Sequence, residues 1–381
     1  MFDPIRVILT MLVITHHIIG AYNGSGDYYS ETPSSGLHGV FSIVSGLNQS
    51  FFMGFFFLIA GYLLPGSFER KGEAGLIGER MWRLGFPIFI FGYLLSPLAK
   101  AFGMAAQGAP FWASLAEMFG KNSLAFGPLW FNKALIFFVA AWCFFPPAAS
   151  RYFRKIWPEG FHLRILCMIV ITTVFAFVLR LGVPTDEKLF DVKIGYFASY
   201  IVLFAAGGFA AENRLLERIT WKHAIPWIIA ALLVFPSPKI IGFLRPNPGV
   251  SSHGGWNLPS LVYAAWEPFI AAGIILSILA YFRTWTHGDS PFWRRMGNAS
   301  FMAFIIHSPV TAGSFWLVKA VPGGVLTHFV LSAVFSVPVS FALADMLTRF
   351  FSRWKEYRRT ALSVGTNPMP VETSSNIKGN D

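Results

Sequence analysis

The sequence predicts an all-α fold, a polytopic transmembrane helical bundle of about ten spans with both termini in the cytoplasm. Three observations predict it. Of the 381 residues 54% are hydrophobic and 13% are charged, and the mean hydropathy is +0.54; soluble domains carry about 25% charge. Apolar stretches near the ~20 residues needed to cross hydrocarbon recur along the chain. Lys and Arg gather in alternate connections, which sets orientation.

The spans are read at 4–22, 39–64, 84–100, 124–145, 163–181, 194–211, 223–240, 260–282, 299–319 and 328–349. The first has the length of a signal peptide. It lacks a basic leader beyond Arg6, and no small-residue cleavage pattern follows in YNGSGDYY, so it reads as a retained span. Residues 1–358 form one transmembrane domain. The polar, unpatterned residues 359–381 read as a disordered cytoplasmic tail.

Orientation follows from the basic residues. One set of connections holds Arg70, Lys71, Arg80 and Arg83, then Arg151, Arg154, Lys155 and Arg164, then Arg214, Arg218 and Lys222, then Arg283, Arg294 and Arg295. The C-terminal segment adds six more, for 20 in all, against 8 on the other side. In that smaller count are Arg180, Lys188 and Lys193, taken as one outer connection, and Arg245. The larger set is therefore cytoplasmic. The same placement argues against a nucleic-acid partner despite the net charge of +11, because the positive residues sit in short clusters between spans. Membrane lipids are the expected surroundings, in an integral membrane location compatible with a bacterial inner (cytoplasmic) membrane.

Polar residues inside the spans carry the functional signal, since each is costly in hydrocarbon unless it meets a cavity, a partner or a substrate. Arg6 and His17 are eleven residues apart, ~16.5 Å along a helix axis and within about 20° of the same face. His16 points about 100° away. Two readings stand here: a pathway entered from the cytoplasm and ending at a deep imidazole, or histidines that merely bond neighbouring helices. Asp3 is placed to pair with Arg6 across one turn. Arg80 and Arg83 suit either the phosphates of a soluble donor or anionic lipid headgroups. Gly54 and Gly61, in an aromatic second span, suit close helix packing. His307 lies near the centre of the ninth span, before Ser308 and Pro309. Glu267, a carboxylate in an apolar run, is either a functional-site group or the partner of a buried base. The loop RPNPGVSSHGGWNLPS faces outward, and His253, Trp256 and Asn257 in it suit a sugar or simply a polar surface. Cys143 and Cys167 lie in apolar runs and suggest no disulfide framework. No metal-ligand signature, dinucleotide fingerprint, Walker motif or serine-hydrolase elbow is present. Before any resemblance is weighed, transport stands slightly ahead of catalysis as a reading.

The order of short elements resembles the membrane acyltransferase 3 family. Asp3, Arg6 and His17 match its D-x-x-R start followed by a histidine. Phe55 to Leu64 match its aromatic run ending in Ala–Gly–Tyr–Leu. Arg80, Arg83, Leu84 and Pro87 match R-x-x-R-L-x-x-P. Pro128 to Phe131 match its Pro–Leu–Trp–Phe element, and Ser300, Phe301, Phe304, His307 and Pro309 match its H-x-P span. The resemblance covers Asp3 to about residue 350; the doubled histidine is a departure from it.

What the resemblance implies is an O-acyltransferase. It would move an acetyl or succinyl group from cytosolic acyl-CoA to a hydroxyl of an envelope glycan or glycoconjugate, with no permanently bound cofactor. Arg6, Arg80 and Arg83 would answer the coenzyme's phosphates, and His17 would act as general base or in a relay. His307 would stabilise the oxyanion, and Glu267 would orient an imidazole or stabilise its charged form. Independently of the resemblance, the residue types of His253, Trp256 and Asn257 make them the expected holders of a sugar acceptor. Within the family the compact architecture resembles the glucan succinyltransferase branch, with general polysaccharide O-acetyltransferases nearly as close; a homodimer is left open. The alternative is a transporter or flippase for a glycan or lipid-linked sugar, which would move its cargo without consuming a thioester.

Overall fold

The computed structural model describes residues 1–121, 126–144, 159–189, 192–243, 251–285 and 290–364. Arg151, Arg154, Lys155, Arg245 and Lys378 of the charge count lie outside them, as does the tail beyond residue 364.

The chain is helical and largely apolar. α1 runs Phe2–Ala21 and α2 Ser35–Arg80. After a π-helical turn at Met81–Gly85 come α3 (Phe86–Ile90), a second π turn at Phe91–Leu95, and α4 (Ser96–Ala106). α5 (Phe111–Gly120), α6 (Trp130–Phe144), α7 (Phe161–Gly182) and α8 (Phe197–Ala211) follow. The chain continues through α9 (Trp221–Val234), α10 (Ser237–Phe243), α11 (Leu258–Trp285), α12 (Pro291–Val318) and α13 (Val325–Val364). Among the described residues nine helical runs are long and apolar enough to cross a membrane.

The expected second and third spans form one of those runs, Ser35–Ala106, 72 residues long. It breaks at Gly72, whose φ of 67° and ψ of 177° are non-helical and disfavoured for any residue with a Cβ. Lys71 and Glu79 pair across the break at 2.5 Å. At the run's far end Gly103 lies against the carbonyl of Tyr28, so close that a Cβ would stand 2.0 Å from its oxygen. Tyr28 belongs to the connection that leads into α2, so the run ends beside the loop from which it started. The RKGE stretch is thus a reversal made inside nearly continuous helix. α5, which the hydropathy reading does not place, is too short to span. It caps α4, with Phe111 against Phe102 and Trp316. α13 continues to Val364, six residues into the segment expected to be disordered.

Local chemistry explains several boundaries. Pro291 opens α12 behind Ser290, where a missing amide costs nothing. α9 starts at a capping box between Thr220 and His223. Pro65, Pro226, Pro268, Pro309 and Pro338 lie inside helices, as neighbouring helices in a bundle allow. Close helix approach is made by glycine. A Cβ on Gly61 would stand 2.1 Å from the carbonyl oxygen of Phe204, and one on Gly207 the same distance from that of Leu58, so α2 and α8 touch backbone to backbone.

Two neighbours of α1 position the site. α2 runs antiparallel to it, with Ser42 by Asn23, Phe52 by His16 and Tyr62 by Phe2. α12 runs parallel to it, with Gly297 by Asp3, His307 by His17 and Phe315 by Tyr22.

Candidate active site

The α1–α12 pair brings together two residues 290 positions apart. The rings of His17 and His307 lie 5.1 Å centre to centre, inclined at 41°. His307 is fully buried. Its Nδ1–H donates to the carbonyl of Phe304 at 2.7 Å, which leaves Nε2 as the lone-pair nitrogen of the neutral ring, buried with no partner. His17 makes no hydrogen bond among the described residues. His16 faces elsewhere, against Phe52 of α2 at 5.0 Å, as the helical angle predicts. Phe304 and Phe131 wall the pair, and Phe131 packs on Phe57 at 4.7 Å. The Pro–Leu–Trp–Phe element thus reaches the depth of the histidines. Beside it Asn132, fully buried, donates from Nδ2 to the carbonyl of Leu84 at 3.1 Å and ties α6 to the π turn of the R-x-x-R element. Sequence reasoning passed over Asn132, although an amide within an apolar run was the available signal.

One end of the same helix pair is charged. Arg6 pairs with Asp3, and Gly297 lets α12 sit on Asp3, where a Cβ would lie 2.6 Å from the Asp3 Cβ. The Nε atoms of Arg6 and Arg80 are buried without partners. Arg83 is more than half exposed and pairs with Glu79 at 3.3 Å. Of the two arginines in R-x-x-R, Arg80 is thus the one without a carboxylate partner among the described residues.

Glu267 is not joined to either imidazole by any hydrogen bond or ring contact among the described residues. It binds Arg180, and both side chains are buried. Arg180, counted in the sequence as part of an outer connection, is instead in the last turn of α7 and 1% exposed. Its Nε donates to the carbonyl of Gly195 at 2.9 Å, and its guanidinium lies 5.5 Å from the Tyr196 ring and 5.3 Å from that of Tyr263. The carboxylate expected to orient an imidazole is thus engaged as the counterion of a buried arginine, the second of the two readings open in the sequence.

The 251–257 loop closes over this ion pair. The Gly255 amide donates to the carbonyl of Arg180 at 3.3 Å, and Nδ1 of His253 meets the Thr185 hydroxyl at 2.8 Å. Asn257 serves α11 as its cap: Oδ1 accepts from the Ser260 amide at 2.8 Å, and Nδ2 donates to the Gly254 carbonyl. Trp256 is 83% exposed, with one edge on Phe177. Of the three residues expected to hold a sugar, two are engaged in the loop's own structure and Trp256 presents a free face.

Among the described residues no group of three His, Cys, Asp or Glu side chains is placed to hold a metal. A family model described as an acyltransferase domain matches residues 2–345. No curated protein and no solved structure matches the chain.

Proposed function

Since the chain belongs to the membrane acyltransferase 3 family and is an acyltransferase of groups other than amino-acyl groups, we propose that it carries an acetyl or succinyl group from cytosolic acyl-CoA to a hydroxyl of an envelope glycan or glycoconjugate. In this reading the Ser35–Ala106 run counts as two crossings, making ten. Both termini are cytoplasmic by the charge bias, in a bacterial inner membrane. The acyl-CoA phosphates meet Arg6 and Arg80, with Arg83 at the rim.

The observation that carries the reading is the imidazole pair of His17 and His307, deep in a bundle whose same two helices bear charge at one end. Acyl transfer to a sugar hydroxyl needs a base, because the hydroxyl is a weak nucleophile near neutral pH. The hydroxyl oxygen attacks the thioester carbonyl while His17 takes its proton. The tetrahedral adduct then expels the thiolate as the C–S bond breaks, and the proton returns to sulfur. With Nδ1–H committed to Phe304, a neutral His307 offers Nε2 only as an acceptor. It therefore suits receiving the proton from His17 better than donating to the oxyanion, the role the family resemblance suggests. Glu267 acts in this scheme through the fold, and Trp256 offers the sugar a stacking face.

The test is envelope-glycan mass spectrometry in a host making the wild type or His17→Ala at matched, membrane-inserted levels. An acyl mass increment is expected with the wild type, reduced about 10²–10⁴-fold in the variant, the range of general-base contributions. An increment undiminished in His17→Ala removes the catalytic assignment. A transporter would give no increment in either sample while still moving the glycan.

A further inference from the structure

A cavity of about 400 Å³ opens where α12 begins, lined by Arg294, Arg295, Asn298, Asp345, Arg349 and Arg353. Asp345 is nearly buried and is gripped twice. Arg295 donates from Nε and Nη2 to its two oxygens at 2.8 and 2.6 Å; Arg349 donates from Nε at 3.2 Å, and its Nη2 forms an ion pair with the other oxygen at 3.0 Å. That satisfies the carboxylate. Arg294 and Arg353 have no ion pair among the described residues, yet they face the same cavity. Two further cations around a carboxylate already neutralised add only self-repulsion unless an anion enters.

We infer that this cavity is a binding site for a phosphate group, unassigned by the family's sequence elements. Guanidinium forks match phosphate oxygens two by two. Asp345 holds two of the forks in place before any ligand arrives, and the Thr348 hydroxyl and the Asn298 amide add neutral donors, while the Ser352 hydroxyl is committed to the Thr348 carbonyl. The α12 start adds the favourable end of a long helix dipole. The volume is that of a small-ligand pocket and holds a phosphate together with part of what it is attached to. Asn298 follows Gly297, which seats α12 on Asp3, so the cavity adjoins the charged end of the proposed donor path. Two sources share this chemistry: the nucleotide phosphates of the acyl donor, and the headgroup of an anionic phospholipid. Placement on the donor side rests on the reading of the previous subsection; the phosphate chemistry does not.

The test uses the full chain in phosphatidylcholine nanodiscs, comparing the wild type with Arg294→Ala/Arg353→Ala, which removes the unpaired guanidinium groups and leaves the Asp345 forks intact. Arg294→Gln/Arg353→Gln repeats the comparison with side-chain bulk kept. Coenzyme A is titrated in one arm. In the other, phosphatidylglycerol replaces part of the lipid and its binding is read by thermal stabilisation. Loss of two charge-assisted contacts predicts at least about tenfold weaker binding of one ligand in both variants, steepest at low salt. If coenzyme A is the ligand affected, the site takes donor phosphates; if phosphatidylglycerol is, it takes a lipid headgroup. Equal binding of both ligands to wild type and variants overturns the inference. Coenzyme A binding that depends on Arg80 but not on Arg294 and Arg353, with phosphatidylglycerol binding also unchanged in the variants, overturns it while leaving the proposed function standing. Binding is read here without turnover, so His17→Ala should bind as the wild type does.

Discussion

Glu267→Gln tests whether that carboxylate serves the fold or the chemistry. The substitution keeps shape and removes charge, leaving Arg180 at 1% exposure with no counterion. Removing one partner of a buried pair costs about 3–5 kcal/mol. The Tyr196 and Tyr263 rings stay within 5.5 Å of the guanidinium and return part of this, since a desolvated cation–π contact is worth up to about 2 kcal/mol. The expected loss is therefore near the lower bound, about 3 kcal/mol. Arg180→Met should cost less, because an orphaned carboxyl can take up a proton whereas a guanidinium keeps its charge. Replacing both, as Arg180→Met/Glu267→Leu, should recover much of the loss. The assay is the folded fraction in mild detergent across a denaturant series, with acyl transfer measured per folded molecule. Transfer per folded molecule should stay within a few-fold of wild type in all three variants. A Glu267→Gln protein as stable as wild type but inactive would refute the argument and return Glu267 to the reacting centre.

Two further outcomes follow from the packing and from the 251–257 loop. Gly61→Ala places a methyl 2.1 Å from the Phe204 carbonyl oxygen, so α2 and α8 must separate; a loss of about 1–3 kcal/mol is expected in the same unfolding assay. Asn257→Ala should lose about 0.5–2 kcal/mol of stability through the α11 cap with the acceptor KM unchanged. Trp256→Ala should do the reverse, raising the acceptor KM in a transfer assay while stability holds, because its ring is 83% exposed. A raised KM in Asn257→Ala alone would reverse those two roles.

The spans were legible because hydropathy reports the solvent of a segment, and in lipid that nearly determines its secondary structure. The stripe shared by Arg6 and His17 was legible as well, since it lies on one helix and needs only its angular repeat. Pairings between helices were not. His17 and His307 stand 290 residues apart, and Arg180 and Glu267 87 apart, so each meeting depends on which helices pack. Arg180 shows the difficulty most clearly. It lies two residues before the polar GVPTDEK stretch, where hydropathy cannot separate the start of a loop from a buried last turn. The Gly72 reversal was hidden differently: RKGE reads as a loop, yet helix reaches the glycine from both sides.

The parallel packing of α1 and α12 places a geometric demand on the donor in the proposed reaction. From Arg6 to His17 the axis rises ~16.5 Å, and from Gly297 to His307 about 15 Å. Two parallel helices hold that separation rigidly, since Gly297 seats one on Asp3 and the Tyr22–Phe315 contact pins them at the other end. A donor fixed by its phosphates at the charged end must therefore carry its acyl group on an arm long enough to cover this rise, and flexible enough to pass the Phe304–Phe131 wall. A short acyl phosphate held at the same arginines would leave its carbonyl a dozen ångströms or more from either imidazole. The helix pair thus favours a thioester on a long arm over a compact activated acid. Acetyl phosphate, offered in place of acetyl-CoA to the purified chain with a glycan acceptor, should give no transfer. Transfer from it would mean that the arginines and the imidazoles do not serve one donor.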